Sequence, residues 1–386
     1  MSLPTYKRNQ LLHELQPWLT STSWELLTGA KLTGSLISAT ESAPWARALF
    51  LCLMNEMRHN LRARYAQFAG YHQRNQKKPP PCPHHLRNLS QAQRKIIHLM
   101  THDGKDNTLA HIARRIYYSK IKIKTTQELR NEIRILHDYL ADNTNPWEVH
   151  IDHLIPRDPF AELVTDACTG HGGGGFCDEL QFFFTVTWSP DLLRLITAES
   201  NDPYRIDINC LEFLAKIIGI CAVITRIGLD SQNPIPPHVT THLPIGIPPA
   251  PRLRTKIDNK ASLCWAQKGS SKSRRAFPLV RLYCNLLRLS TLGVAPEYIP
   301  GKENIVSDKL SRYLQYNSPI PSNFWPQLAQ IDRRTTQWDY FQPSDELTSL
   351  LHSSLCSPSR PGLPDLPKKL GHFVPAGSTS AFLSEL

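Results

Sequence analysis

Four acidic residues between positions 166 and 308 occupy places in the sequence where a carboxylate could bind a metal or act in catalysis. Asp166 ends a short apolar stretch just before a glycine run, and Glu212 is the one acid in the apolar segment 208–224. Asp258 closes an alternating, strand-like segment, and Asp308 follows a glycine-containing loop near the start of a predicted helix. A buried carboxylate is costly unless it is paired or binds a metal, and hard cations prefer oxygen ligands. The four acids are therefore candidate metal ligands.

Each acid also has an ordinary structural interpretation. The four glycines 172–175 after Asp166 are more typical of a flexible hairpin than of a phosphate cradle, because no Gly-Lys-Ser/Thr follows them. Glu212 could pair with Lys216 one helical turn later. Asp258 could open a turn, and Asp308 could cap its helix and pair with Arg312. Residue types alone leave both interpretations open.

The charge of the chain is unevenly distributed. Lys and Arg total 44 against 33 Asp and Glu, a net charge of +11. Residues 51–135 carry 17 bases and 5 acids, residues 158–230 carry 4 bases and 11 acids, and residues 251–315 carry 13 bases and 4 acids. Solvated surfaces explain a single run of this kind. Two basic blocks around an acidic one favour a metal site that acts on a polyanion.

The elements that must position the acids suggest four regions. Residues 1–75 read as helical, and 76–158 combine a proline-rich linker at 76–81 with a basic helical segment. Residues 159–317 alternate strand-like and helix-like stretches, which predicts a mixed α/β domain. Residues 318–386 are rich in proline and serine without sustained periodicity, so we expect an irregular tail.

Several broad classes of protein are disfavoured. No uninterrupted apolar run reaches the roughly 18 residues that span a bilayer, so we expect no membrane partner. The nine cysteines are scattered without a Cys-x-x-Cys pair, which indicates reduced thiols in an intracellular protein of the cytoplasm or nucleus. Cys82, His84 and His85 are weak zinc candidates, because no partner pair follows at finger spacing.

The order of these motifs resembles the ribonuclease H fold of retroelement polyproteins. The resemblance rests on Val164-Thr165-Asp166-Ala167 with its glycine turn, on Leu211-Glu212-Phe213-Leu214-Ala215, on Ile257-Asp258-Asn259, and on the segment from Ile299 to Arg312. The last segment, Ile-Pro-Gly-Lys-Glu-Asn-Ile-Val-Ser-Asp-Lys-Leu-Ser-Arg, is the most specific and is similar to the end of this domain in gypsy-type and DIRS-type elements. The resemblance covers about residues 158–315. Residues 20–60 bear a much weaker resemblance to the helical thumb or connection of such polyproteins.

The resemblance implies a metal-dependent endonuclease that cleaves the RNA strand of RNA–DNA hybrids, as part of a reverse transcriptase polyprotein. Its four carboxylates would hold two Mg²⁺ ions, or Mn²⁺, with Asp166 shared between them. Glu212 and Asp258 would complete one side, and Asp308 would hold the other. Basic residues after the third acid would follow the phosphates of the nucleic acid: Lys268, Lys272, Arg274, Arg275, Arg281 and Arg288.

The chain departs from the family pattern at two points. Tyr298 stands before Ile-Pro-Gly, where related elements often carry a histidine, so turnover could be reduced. No Tyr-x-Asp-Asp polymerase motif is present, which suggests a fragment of a longer polyprotein. A catalytically inactive, nucleic-acid-binding remnant of the connection type is the alternative. An integrase-like nuclease is disfavoured because that group orders its acids Asp, Asp, Glu.

Overall fold

A computed structural model describes residues 2–60, 122–142, 147–148, 158–199, 205–228, 251–290, 292–313, 329–356 and 362–376. The chain forms two compact units, which divide at residues 148 and 149. This division differs from the predicted boundaries, because the described residues between 122 and 148 belong to the unit of the N-terminal helices and the described residues after 328 belong to that of the α/β domain. The predictions for the 76–81 linker and for Cys82, His84 and His85 lie outside the described residues.

The first unit is mainly helical. Its elements are α1 (Thr5–Thr20), β1 (Ser23–Glu25), α2 (Leu26–Ala39), a 3-10 helix (Pro44–Phe50) that continues as a helix over 51–60, β2 (Lys122–Lys124) and α3 (Gln127–Ala141). β1 and β2 pair antiparallel. Thr126 caps α3 by accepting a hydrogen bond from the Leu129 amide, and the apolar side of α3 is buried.

A buried carboxylate joins two helices of this unit. Glu132 in α3 is fully buried, and its two oxygens accept hydrogen bonds of 2.9 Å from the backbone amides of Cys52 and Leu53. These amides begin the helix over 51–60, where backbone donors lack partners within the helix and the helix dipole favours a negative charge. Glu132 therefore fixes the start of one helix from the middle of another.

The second unit is a mixed α/β domain, as the sequence predicts. Its elements are β3 (Ala161–Ala167), β4 (Gly172–Cys177), β5 (Phe182–Thr187), α4 (Pro190–Thr197), α5 (Ile208–Arg226), β6 (Arg252–Ile257), α6 (Lys260–Lys268), α7 (Phe277–Ser290), β7 (Gly293–Tyr298), α8 (Ile305–Ser311), β8 (Asp339–Pro343), α9 (Asp345–Cys356) and β9 (Gly371–Val374). Short 3-10 helices lie at Arg274–Ala276, Gly301–Glu303 and Arg333–Thr336.

These strands form one mixed sheet in the order β7-β6-β3-β4-β5-β8-β9. The β3, β4 and β5 strands are antiparallel neighbours, whereas β6 runs parallel to both β3 and β7. The alternation predicted for β6 is observed: Leu253, Thr255 and Ile257 are buried, and the residues between them are partly exposed. Parallel strands end at the same sheet edge, so the residues after β3 and β6 are brought together.

Helix α5 forms the centre of the core on one face of this sheet. Asp207 caps it by accepting a hydrogen bond of 3.0 Å from the Cys210 amide, and nearly all of its residues are buried. The helix is long and apolar enough to cross a membrane by length and composition, but 89% of the relevant window is buried within the unit. Such burial is what a central core helix of this length requires.

The prediction of an irregular tail is wrong for the described residues after 328. β8 pairs parallel with β5 and β9 pairs antiparallel with β8, so this segment extends the sheet by two strands. Trp338, Tyr340 and Val374 pack with Phe183 and Leu310 in a buried cluster. Despite the prolines and serines of this segment, Tyr340 and Phe341 in β8 and Trp338 just before it supply buried apolar side chains to the core.

One arginine ties the added strands to α5. The Arg226 guanidinium is buried, lies 2.8 Å from a carboxylate oxygen of Asp339, and stacks at 3.7 Å from the ring centre of Phe373. A buried charge is tolerated when it is paired and hydrogen-bonded. The ion pair therefore links the end of the core helix to both β8 and β9.

Candidate metal centre

Three of the four candidate acids meet at the carboxyl edge of the sheet. Asp166, Glu212 and Asp258 each offer an oxygen within 4.8 Å of the others. Val164 pairs with Lys256 in the parallel ladder, and Asp166 and Asp258 each lie two residues further along these strands. Glu212 reaches the same point from the second turn of α5. The arrangement could hold a metal ion through carboxylate oxygens alone.

Burial of this cluster makes its negative charges expensive. Burial, together with the nearby charges of Asp166 and Asp258, raises the pKa of Glu212 to about 9. Burial likewise raises the pKa of Asp166 to about 6, although a hydrogen bond from Ser311 opposes the rise. The pKa of Asp258 is raised chiefly by burial as well. A bound cation would reverse these shifts by favouring the ionised carboxylates.

Glu212 lacks the ion pair that its sequence position allowed. Its Oε2 atom is buried and has no hydrogen-bond partner in the part of the chain that the structure describes. Lys216 is fully buried one turn later, and its Nζ atom also has no hydrogen-bond partner among the described residues. Burial alone lowers the pKa of Lys216 to about 7. The interpretation of Glu212 as the partner of Lys216 is therefore wrong.

Asp308 lies beside the cluster but does not belong to it. Its Oδ1 atom accepts two hydrogen bonds from Arg312, at 2.6 Å and 3.1 Å. Its charge nevertheless contributes to the raised pKa values of Asp166, Glu212 and Asp258. Asp308 thus forms the ion pair with Arg312 that its spacing on the helix allows. From this position its charge still raises the pKa values of the other three acids.

Two hydrogen-bond donors to Asp166 are not evident from the sequence. Ser311 Oγ donates to Asp166 Oδ2 at 2.7 Å, and Asn304 Nδ2 lies 3.4 Å from Asp166 Oδ1. Asn304 Nδ2 also donates to the Thr165 carbonyl at 3.2 Å. Both donors belong to the late motif from Ile299 to Arg312, in which the residue types alone indicate only Asp308 as a metal ligand.

The glycine run is the buried second strand of the β3–β4 hairpin, so it is neither a flexible turn nor a phosphate cradle. Gly172–Gly175 belong to β4, which pairs with β3 on one side and β5 on the other. A Cβ atom on Gly174 would lie 2.5 Å from the Ser311 backbone nitrogen and 2.6 Å from Leu310. The absence of side chains therefore lets α8 lie directly against the strand.

The six predicted phosphate-binding residues differ in exposure. Lys268, Lys272 and Arg274 are exposed, whereas Arg275 and Arg288 are partly buried. Arg281 is only 2% exposed and its guanidinium lies 5.9 Å from the ring centre of Phe277. Arg281 is therefore a buried core residue in this structure and is not placed to meet a phosphate.

Tyr298 lies at the end of β7, next to the strand that leads into Asp258. It pairs with Ile257 across the ladder and is 45% exposed. The Lys260 ammonium lies 5.5 Å from the centre of its ring. Gly301, in the loop that follows, lies so close to Asp258 that a Cβ there would be 3.1 Å from Oδ2. The late loop therefore borders the acidic cluster.

Comparisons with known proteins give no family for this chain. No protein-family model, no curated protein sequence and no solved structure matches it significantly.

Proposed function

We propose that this chain is a metal-dependent endonuclease with a ribonuclease H-like domain, which cleaves the RNA strand of RNA–DNA hybrids as part of a retroelement reverse transcriptase polyprotein. The observation that carries the proposal is the convergence of Asp166, Glu212 and Asp258 within 4.8 Å at one sheet edge. The mixed α/β fold and the late loop beside the cluster also support it.

The residues present fit a divalent cation. The donor set consists of carboxylate oxygens, which suit Mg²⁺ and Mn²⁺ better than softer metals. Within the described ranges, Glu212 Oε2 is buried without a hydrogen-bond partner and so offers an acceptor for an ion. Asp166, Glu212 and Asp258 would hold the first ion. Asp308 would help to hold a second one through the acceptor positions that Arg312 does not use, because that guanidinium donates to Oδ1 alone.

The ions would supply an activated water and stabilise the leaving oxygen of an in-line displacement. The chain itself contributes the placement of the carboxylates, which belong to two strands and a buried helix. Exposed Lys268, Lys272 and Arg274 would bind phosphates outside the site. Discrimination in favour of RNA would depend on contacts with its 2′-hydroxyl groups.

The alternative is a nucleic-acid-binding remnant without catalysis. The pairing of Asp308 with Arg312 favours it, and so does Tyr298, which ends β7 just before the late loop. This alternative predicts salt-sensitive binding of hybrid duplexes with no cleavage under any divalent ion. Calorimetric titration with Mg²⁺ or Mn²⁺ separates the two, because only the nuclease requires an ion at the acidic cluster.

The test is cleavage of a hybrid whose RNA and DNA strands carry different labels. We expect the full chain with Mg²⁺ or Mn²⁺ to cut the RNA strand and to leave the DNA strand and single-stranded RNA intact. Asp166→Asn should reduce this cleavage below detection, whereas Glu303→Gln, which changes an exposed acid of the same domain, should leave it unchanged. Cleavage that persists in purified Asp166→Asn would refute the site, and cutting of DNA would indicate an integrase-like enzyme.

A further inference from the structure

The late loop and α8 hold both oxygens of Asp166. We propose that Ser311 and Asn304 are positioning residues, which fix the Asp166 carboxylate in the orientation that binds the ion and thereby set the affinity of the site. Ser311 contacts Oδ2 at 2.7 Å and Asn304 lies 3.4 Å from Oδ1, so each oxygen has its own protein donor. The inference rests on the proposed function, since it assigns residues to the same metal site.

Both donors are themselves held rigidly. Ser311 is 1% exposed and Asn304 is 2% exposed, so neither side chain has water as an easy alternative partner. The Asn304 amide also bonds to the Thr165 carbonyl, in the residue that precedes Asp166. The Asn304 carbonyl accepts the Asp308 amide at 3.1 Å and so starts α8. The amide therefore connects the strand that carries Asp166 to the helix that carries Ser311.

The Ser311 hydroxyl has a second acceptor within reach. Its Oγ atom lies 2.9 Å from the Asp308 carbonyl in the same helix. A hydroxyl has one proton to donate and can rotate between two acceptors. Ser311 can thus keep a hydrogen bond whichever lone pairs of Asp166 Oδ2 an ion occupies. This makes serine compatible with both the metal-free and the metal-bound carboxylate.

The glycine strand brings Ser311 within reach. Gly174 is the ladder partner of Asp166, and its missing side chain leaves room for the Ser311 and Leu310 backbone. Thr185 on the next strand donates to the Leu310 carbonyl at 2.8 Å. The position of α8 is therefore fixed from two strands. A side chain at Gly174 would push the helix, and Ser311 with it, away from Asp166.

Residues that orient a metal ligand commonly change metal affinity or activity by about 10- to 100-fold when they are removed. We therefore expect Ser311→Ala to weaken Mn²⁺ binding to the full chain by about tenfold or more, as measured by calorimetry. We also expect broader electron paramagnetic resonance lines from bound Mn²⁺, because the coordination geometry becomes less uniform. That spectrum reports on the site itself, so a loss of overall stability alone would not alter it.

Ser307→Ala is the matched control. Ser307 is buried on the same helix one turn earlier, and its Oγ atom has no hydrogen-bond partner among the described residues. We expect this variant to bind Mn²⁺ like the wild type. Equal Mn²⁺ affinity and line shape in Ser311→Ala and Ser307→Ala would overturn the proposal.

Two further variants distinguish failure of the metal site from failure of the positioning role. Asn304→Ala removes the donor to the other oxygen and should also weaken Mn²⁺ binding. It decides the question if Ser311→Ala does not fold, since unchanged binding would then count against the proposal. Asp166→Asn should abolish binding at the cluster. If Asp166→Asn binds Mn²⁺ like the wild type, the metal site fails, whereas an effect of Asp166→Asn without any effect of Ser311→Ala or Asn304→Ala refutes the positioning role alone.

Discussion

Neutralising Glu212 should stabilise the metal-free protein while removing its response to metal. Burial and the charges of Asp166 and Asp258 raise the pKa of Glu212 to about 9, so the folded protein holds a proton there at pH 7. The unfolded chain releases that proton above about pH 4.5. Above about pH 4.5, each pH unit lowers the free energy of unfolding by about 1.4 kcal/mol, because only the folded state keeps the proton. Glu212 therefore destabilises the fold by about 3 kcal/mol at pH 7.

The variant Glu212→Gln removes this cost and keeps the shape of the side chain. Its amide can still accept from the Ala167 backbone amide and can donate to the neighbouring carboxylates. The unfolded wild type binds fewer protons than the folded one between pH 4.5 and 9, so its stability falls as pH rises through that range. The stability of the variant does not fall with pH in this way. Its free energy of unfolding should equal that of the wild type near pH 4 and exceed it by about 3 kcal/mol at pH 7.

Scanning calorimetry in EDTA measures the effect. For a unit of this size, about 3 kcal/mol corresponds to an increase of about 6–12 °C in Tm at pH 7. Added Mn²⁺ should raise the Tm of the wild type and leave that of Glu212→Gln nearly unchanged, because the variant has lost a ligand. Glu303→Gln, at an exposed acid, should change neither value. An unchanged or lower Tm for Glu212→Gln at pH 7 in EDTA would refute the electrostatic reasoning.

Three other substitutions test buried charges outside the acidic cluster. Lys216→Met should stabilise the protein by about 4 kcal/mol at pH 7, because burial lowers the pKa of the lysine to about 7. The destabilisation by Lys216 disappears only as pH rises toward about 10.4. Equal urea midpoints of variant and wild type at pH 7 would contradict this. Glu132→Ala should destabilise the helical unit by about 3 kcal/mol, since two buried backbone donors lose their acceptor, and faster amide exchange over 51–60 would report it; unchanged exchange there would show that the bonds contribute little. Arg226→Ala should lower the stability measured by thermal unfolding by about 3 kcal/mol, because Asp339 loses its buried ion-pair partner. Arg194→Ala, at an exposed ion pair, should change stability by less than about 1 kcal/mol. Similar losses in both variants would contradict the importance of the buried pair.

The sequence predicts the positions of the acids better than their surroundings. Strand alternation before Asp258 and the apolar stretch before Asp166 indicate two strand ends, and parallel pairing brings those ends together. The relation of Glu212 to Lys216 could not be predicted from their spacing. Residues four apart on a helix can pair, but only the packing around α5 decides whether the two side chains reach each other.

Contacts made by the backbone cannot be predicted from sequence patterns. A run of glycines predicts flexibility locally, because glycine has the most freedom in the unfolded chain. Here neighbouring strands and α8 cover Gly172–Gly175, and tertiary packing overrides the local preference. The contact of Ser311 with Asp166 cannot be predicted from the sequence for the same reason, since it depends on how close Gly174 allows the helix to come.

The two strands added after residue 328 also protect the sheet from other chains. Without them, β5 would become an edge strand, and it begins with three consecutive phenylalanines, Phe182–Phe184. An unpaired, flat and apolar edge is a template for intermolecular strand pairing and aggregation. A shortened protein that stops at residue 317 would keep every acid of the cluster. We nevertheless expect it to be poorly soluble, because solubility here depends on strands far from the site in sequence.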